Sequence, residues 1–242
     1  MSPFTAIVLA AGVGSRLRPL TDTAPKCLVS VGRETMLGRA ARVLADAGAA
    51  ELIVSTGYLD GAVREAMRDA PLPVRFAHNH DYASTQNVVS LRRALDLAPD
   101  GRDVVKLDGD LVFERAVLDA LFAEGGDACA AIEDGETPPD EAMKVDVAGG
   151  RITRFGKGLV ARTAAGESIG VERFAKGAVP SLRSALAAAV EAGRTDVYYE
   201  EVYNDLLAAG LAMRAARVSS LRWCEVDDLD DLDAARRLFA GA

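Results

Sequence analysis

The stretch AIVLAAGVGSRLRPLTDTAPKCLVSVG, residues 6–32, sets an apolar run directly against a glycine-containing, cationic loop. TAIVLAA (residues 5–11) shows no polar alternation, the pattern of a strand covered on both faces. Outward from it, strand and helix patterns alternate. MLGRAARVLADAG (36–48) repeats its apolar positions at helical spacing, and ELIVSTG (51–57) reads as the next strand. The pairs DGAVREAMRDA and PVRFAHN, TQNVVSLRRALDLA and RDVVKLDGD follow, and FERAVLDALFAEG closes the series. Such alternation implies right-handed crossovers and an α/β fold: a Rossmann-like mixed, mainly parallel sheet flanked by helices. From residue 127 the texture changes. DACAAIED, EAMKVDVAGGRITRFGKG and ESIGVERF read as strands, a small β-rich insertion, before helices return at PSLRSALAAAVEAG and YYEEVYNDLLAAG. MRAARVS and LRWCEVD (strands) and DLDDLDAARRLFA (helix) end the chain. No Pro-, Ser- or Gly-rich linker divides it, so one domain over residues 1–242 is expected.

Composition narrows the function classes. Against 36 acidic residues stand 28 Lys and Arg, a net charge of -8, which disfavours nonspecific nucleic-acid or anionic-membrane binding. The cationic loop is therefore a local feature. Cys27, Cys129 and Cys224 are widely spaced and odd in number, which reads as reduced thiols in a cytoplasmic protein. No signal peptide or membrane span is expected from the opening residues. His78 and His80 read as strand-end histidines rather than zinc ligands.

Three phosphate-binding patterns compete for the loop. Walker A requires a GK[ST] that is absent. The dinucleotide turn GxGxxG is half met: Gly12 and Gly14 fit, but Leu17 stands third, and Pro19 and Pro25 block the helix that should follow. A long loop wrapping a triphosphate fits better, with its backbone and Ser15 on phosphate oxygens and Arg16 and Lys26 neutralising them. The alternative is a solvated surface loop. Its length and its place at the end of a buried parallel strand favour function.

These residues carry a resemblance. LAAGVGSRLRPLTDTAPKCLVSVG resembles the signature of nucleotidyltransferases that join a nucleoside triphosphate to a phosphorylated small molecule. NHDYASTQNVVSL, EAMKVDVAGGRITRFGKGL, GESIGVERF, YYEEVYNDLL and RWCEVDDLDDLDAA are similar to the phosphocholine and 2-aminoethylphosphonate cytidylyltransferase branch. The resemblance implies CTP as nucleotide, Mg²⁺ as cofactor, a small anionic acceptor and release of pyrophosphate, with a homodimer as one expected assembly. It makes Arg16 and Lys26 catalytic. It places the nucleotide on Leu9, Ala10, Ala11, Gly12, Gly14, Ser15, Gln86, Asn87, Ser90 and Asp108. The metal ligands it implies are Asp110 and Asp227, one from each of the acidic clusters KLDGD and CEVDD; Mg²⁺ favours a few carboxylates plus substrate phosphates. Lys157 would meet the acceptor's phosphate, with Lys144 helping, and Tyr198 and Glu200 its cationic tail.

Several positions have plain alternatives. Asp228 or Asp230 could cap the last helix, and Asn87 and Ser90 could cap the helix beside them. Tyr199 and Tyr203 fall at core-facing helical spacing. Two rival functions stand: a sugar-1-phosphate or inositol-1-phosphate nucleotidyltransferase, and an inactive nucleotide-binding regulatory module. A nicotinamide dehydrogenase would close its second strand with an acidic residue, which ELIVSTG lacks.

Overall fold

The computed structural model describes residues 2–240. In chain order its elements begin with β1 (Phe4–Ala10), the short β2 (Ser30–Val31) and β3 (Glu34–Thr35), α1 (Met36–Asp46), β4 (Ala49–Thr56), α2 (Asp60–Ala66) and β5 (Val74–His78). Next come α3 (Asn87–Leu97), β6 (Val104–Asp108), β7 (Leu111–Phe113), α4 (Arg115–Glu124), β8 (Ala128–Glu133), β9 (Lys144–Ala148) and β10 (Arg151–Gly156). The last are β11 (Gly166–Phe174), α5 (Val179–Glu191), α6 (Tyr199–Ala208), β12 (Met213–Arg217), β13 (Trp223–Glu225) and α7 (Leu229–Leu238).

Nine strands form one sheet in the order β5-β4-β1-β6-β11-β8-β12-β10-β9. Pairing is parallel from β5 to β6 and between β8 and β12. β11 lies antiparallel between β6 and β8, and β9 and β10 form an antiparallel hairpin. The β-rich segment therefore continues the main sheet instead of standing beside it. β9 also pairs with the start of β11, Gly166 opposite Val145, so this half of the sheet curls back on itself.

Every residue of β1 is buried, as its unbroken apolar run requires. Phe4, Ala6, Val8 and Ala10 face one core with Leu37, Ala41 and Leu44 of α1 and Leu118 and Leu121 of α4. Ile7 and Leu9 face the other with Val88, Leu91 and Leu95 of α3, Leu182 and Leu186 of α5 and Tyr203 of α6. The period-2 alternation of a strand is thus satisfied twice, once on each face. α1 begins where the Thr35 hydroxyl accepts from the Gly38 N–H at 3.0 Å, satisfying one of its free donors.

A third, smaller core matters most to the site. Leu17, Val29 and Val31 from the loop after β1 pack with Met36, with Val112 of β7, and with Val226, Leu232, Ala235 and Phe239 at the end of the chain. The loop is accordingly ordered, not structureless. It makes three short 3-10 turns, at Ser15–Leu17, Leu20–Asp22 and Lys26–Leu28. Among the described residues no helix is long and apolar enough to cross a membrane.

The strand ends that carry the site come very close. A Cβ added at Gly109, just beyond β6, would lie 2.4 Å from the Leu9 carbonyl oxygen of β1. Gly109→Ala is therefore expected to cost about 1–3 kcal/mol of stability through overpacking. Urea unfolding should show a lower midpoint with an unchanged m-value. An unaltered midpoint would mean that β1 and β6 can part there freely.

Candidate active site

A cleft of about 780 Å³ opens over the C-terminal ends of β1 and β6, where an open α/β sheet binds ligands. Leu9, Ala10, Ala11, Gly12, Arg16 and Lys26 line one side of it. Gly14 and Ser15 do not line it, although both were expected on the nucleotide. Gly14 instead shapes the loop. Its φ is +66°, and a Cβ there would meet the Lys26 side chain at 2.7 Å. Its carbonyl accepts from the Thr21 hydroxyl at 2.8 Å. This turn steers Lys26 back toward the cleft.

Lys26 Nζ lies 2.7 Å from Asp110 Oδ2 and 2.6 Å from Asp227 Oδ1, and Arg16 reaches Asp227 Oδ2 at 2.7 Å. The pairing of β13 with β7, Glu225 opposite Leu111, brings these distant acids together. The Val226 N–H then donates to the Asp110 carbonyl at 3.0 Å. Asp228 caps α7 and Asp231 reciprocates; the Asp231 carboxylate also accepts from the Asp227 N–H at 2.9 Å. The helix cap thus aims Asp227 into the cleft, and the plain alternative for Asp228 is what the structure shows.

Asp110, Glu225 and Asp227 offer carboxylate oxygens within 4.8 Å of one another. Glu225 was not singled out as a ligand from sequence, yet in an extended chain it shares a face with Asp227. Burial, then the charges of Asp110 and Asp227, push its carboxyl up to about 8. Burial works to raise Asp227 too, but the hydrogen bond and charge of Lys26, then Arg16, hold it below the ordinary value. Lys26 is raised: burial works against its charge, and Asp110 and Asp227 outweigh that. Asp110 Oδ1 is buried without a partner among the described residues. An orphaned carboxylate oxygen within an all-oxygen, excess-negative donor set fits a hard divalent cation such as Mg²⁺.

The far side of the cleft is built differently. Asp108, at the end of β6, accepts from the Tyr199 hydroxyl at 2.8 Å and meets Lys106 at 3.0 Å. Its carboxylate ties the buried network to the cleft, which Asp108 also lines, partly exposed, as expected. Lys106, fully buried, also pairs with Glu172 at 3.1 Å and sits 3.5 Å from the Tyr199 ring centre. Three carboxyls, Asp108, Glu172 and Glu200, share this one cation. Burial, then the charges of Asp108 and Glu172, raise Glu200 to about 8 despite Lys106. Glu200 lines the cleft, and its Oε2 is buried without a partner among the described residues. Tyr198 lines it as well, with Lys157 Nζ 4.5 Å above its ring.

Gln86, Asn87 and Ser90 also reach the cleft. Asn87 does not cap its own helix. Its Oδ1 accepts from the Tyr199 N–H at 2.9 Å and so caps α6 across space. Ser90 accepts from Asn79 at 3.1 Å. Of the residues expected on the acceptor, Lys144 is the exception. It is 1% exposed, outside the cleft lining, and its ammonium is spent on backbone carbonyls. Its long side chain folds onto the backbone at 140, 142 and 157 and does not reach the cleft.

Comparison with known proteins gives a family for this fold. The MobA-like NTP transferase domain matches residues 6–193. CMP-5'-(3-aminopropyl)phosphonate synthase of Streptomyces rubellomurinus is 33% identical over 241 residues, covering 95% of this chain; the chain spans only 38% of that protein's length. 2-Aminoethylphosphonate cytidylyltransferase of Lancefieldella rimae is 28% identical over 230 residues, 95% of this chain and 90% of that one. The inositol-1-phosphate CTP transferase structure from T. maritima superposes with a TM-score of 0.80 at 21% identity, covering 100% of this chain and 98% of that one, a likeness of fold.

If the three carboxylates form one cation site, Glu225→Gln should weaken Mn²⁺ binding about tenfold or more, as the loss of a ligand or its support does. Titration followed by Mn²⁺ electron paramagnetic resonance reads this directly. Equal affinity in the variant would remove Glu225 from the site.

Proposed function

The chain belongs to the MobA-like NTP transferase family, and from that premise we propose that it transfers CMP from CTP to a small aminoalkyl phosphonate or phosphate, releasing pyrophosphate. One observation carries the reading. A single cleft sets two loop cations, Arg16 and Lys26, against carboxylates from two distant segments, and opposite them stands an acidic, aromatic pocket around Glu200 and Tyr198. Relatives named for aminoalkylphosphonates support it. We take residues 1–242 as one catalytic unit, and the free thiols of Cys27, Cys129 and Cys224 as fitting a cytoplasmic enzyme.

The chemistry follows from charge and position. An oxygen of the acceptor's phosphonate forms a bond to the α-phosphorus of CTP as the bond to the β-phosphate oxygen breaks. That nucleophile is already an anion, so no general base is required. Arg16 and Lys26 neutralise charge gathering on the departing pyrophosphate. A Mg²⁺ held by Asp110, Glu225 and Asp227 would supply further neutralisation of the phosphates. Lys157 receives the acceptor's anionic group. Glu200, with its unpartnered oxygen, receives the ammonium at the other end. The backbone of Leu9–Gly12 and the exposed amide of Gln86 flank the space for the base.

A pyrophosphate-release assay with Mg²⁺ and each nucleoside triphosphate tests this. The acceptor panel holds 2-aminoethylphosphonate, 3-aminopropylphosphonate, 2-hydroxyethylphosphonate, phosphocholine, inositol-1-phosphate and glucose-1-phosphate. The expected result is release with CTP and an aminoalkylphosphonate well above the others. Release only with inositol-1-phosphate or a sugar phosphate would replace the proposal with the sugar-phosphate reading. Tight CTP binding without release from any acceptor would favour the regulatory module.

A further inference from the structure

Lys144 opens β9 with its side chain almost wholly out of water. Its Nζ lies 2.6 Å from the Asp140 carbonyl oxygen, 2.7 Å from that of Lys157 and 3.4 Å from that of Ala142. Among the described residues it makes no ion pair. An ammonium has three donors, and here three carbonyls meet them. Glu167, opposite it on β11, feels its charge from beyond ion-pair distance; burying a cation on carbonyls alone is costly, and an apolar side chain of similar length would avoid that cost. What the ammonium adds is a fixed geometry for the carbonyls it holds.

Those carbonyls belong to two segments that both wall the cleft. One is the approach to β9, where Pro139, Glu141, Ala142 and Met143 line the cavity. The other is the turn after β10, which carries Lys157. The backbone just before that turn is held from α6, because Asn204 donates to the Phe155 carbonyl at 2.9 Å and accepts from its N–H at 2.8 Å. Lys157 is thereby fastened on two sides: by Asn204 two residues earlier, and by Lys144 at its own carbonyl. Its side chain is free to reach into the cleft beside Tyr198.

We propose that Lys144 is a positioning residue: it staples the 139–143 segment to the Lys157 turn and so sets the acceptor-side wall, without touching the acceptor or the nucleotide. The kinetic half of this rests on the transferase reading above; the staple itself does not. Lys144→Met keeps length and removes the donors. Hydrogen exchange of the intact protein should then quicken about tenfold or more at 139–143 and 156–160, while the amides of β1 and β6 keep their protection. With 2-aminoethylphosphonate as acceptor, KM should rise about tenfold or more, since small misplacements of a binding group are costly, with CTP affinity by calorimetry unchanged. Lys157→Ala, which retains the carbonyl, should raise the same KM and leave exchange as in the wild type.

Unchanged exchange in both segments overturns the staple, whatever the activity. Quickened exchange with an unaltered acceptor KM, or CTP affinity weakened as much as acceptor affinity, overturns the positioning role. If the wild type turns over no aminoalkylphosphonate, the transferase reading fails while the exchange result still decides the staple. Should Lys144→Met not fold, Lys144→Gln, which keeps an amide donor, takes the same readouts.

Discussion

The ammonium of Lys26 between Asp110 and Asp227 is the contact on which the rest of the architecture turns. It joins residues 84 and 201 positions apart. One comes from the loop after the first strand, one from the end of β6, and one from the approach to the last helix. Each is placed by a different device: the left-handed turn at Gly14, the close approach of Gly109 to β1, and the Asp228–Asp231 capping box. The small core of Leu17, Val29, Val112, Val226 and Leu232 packs behind them and keeps the three segments in register. Charges so close and partly buried are tolerated only in company, because removing one partner strands the others in a low-dielectric site. The loop is therefore held open to the cleft by the same carboxylates that fit a divalent cation.

The cleft divides its labour by charge. Near the loop, cations and the carboxylate triad alternate, an arrangement suited to a polyanion and a metal. Beyond β6, one buried lysine serves three carboxyls; burial pushes Glu172 up to about 7 and Glu200 up to about 8, so the pocket that Glu200 and Tyr198 line gains its full negative charge only when a cation enters. An acceptor with an anionic head and a cationic tail matches that gradient from one end to the other.

Much of this was legible in the sequence, for reasons that can be named. The unbroken run of β1 announced a strand covered on both faces, and the helical spacing of Leu37, Ala40 and Leu44 announced α1. Arg16 and Lys26 stood out because a long cationic loop at the end of a buried strand favours function, and Asp110 and Asp227 because the resemblance singled them out of two acidic clusters. Other features depend on contacts that spacing does not encode. The alternation of β9 placed Lys144 on a face but did not say whether the ammonium would meet a ligand or three carbonyls. Asn87 read equally as a base contact or as a cap for its own helix; it lines the cleft and caps α6, a tertiary choice. Glu225 was one of several acids in CEVDD; only the long-range antiparallel pairing of β7 with β13 separates it, beside Asp110, from Asp228, which the helix claimed. Gly14 and Ser15 matched a phosphate-loop pattern; one bends the loop, and the other is exposed outside the cleft lining.

The central claim is transfer in a single displacement, driven by position and charge with no covalent enzyme intermediate. The thiols lining the cleft are poor nucleophiles: burial pushes Cys27 up to about 12 and Cys224 up to about 11. The stereochemical course at phosphorus tests this most directly, using CTP carrying a single sulfur-labelled configuration at the α-phosphate and following the product by ³¹P NMR. The account predicts inversion. Retention would require two displacements and a nucleophilic side chain, and would contradict it.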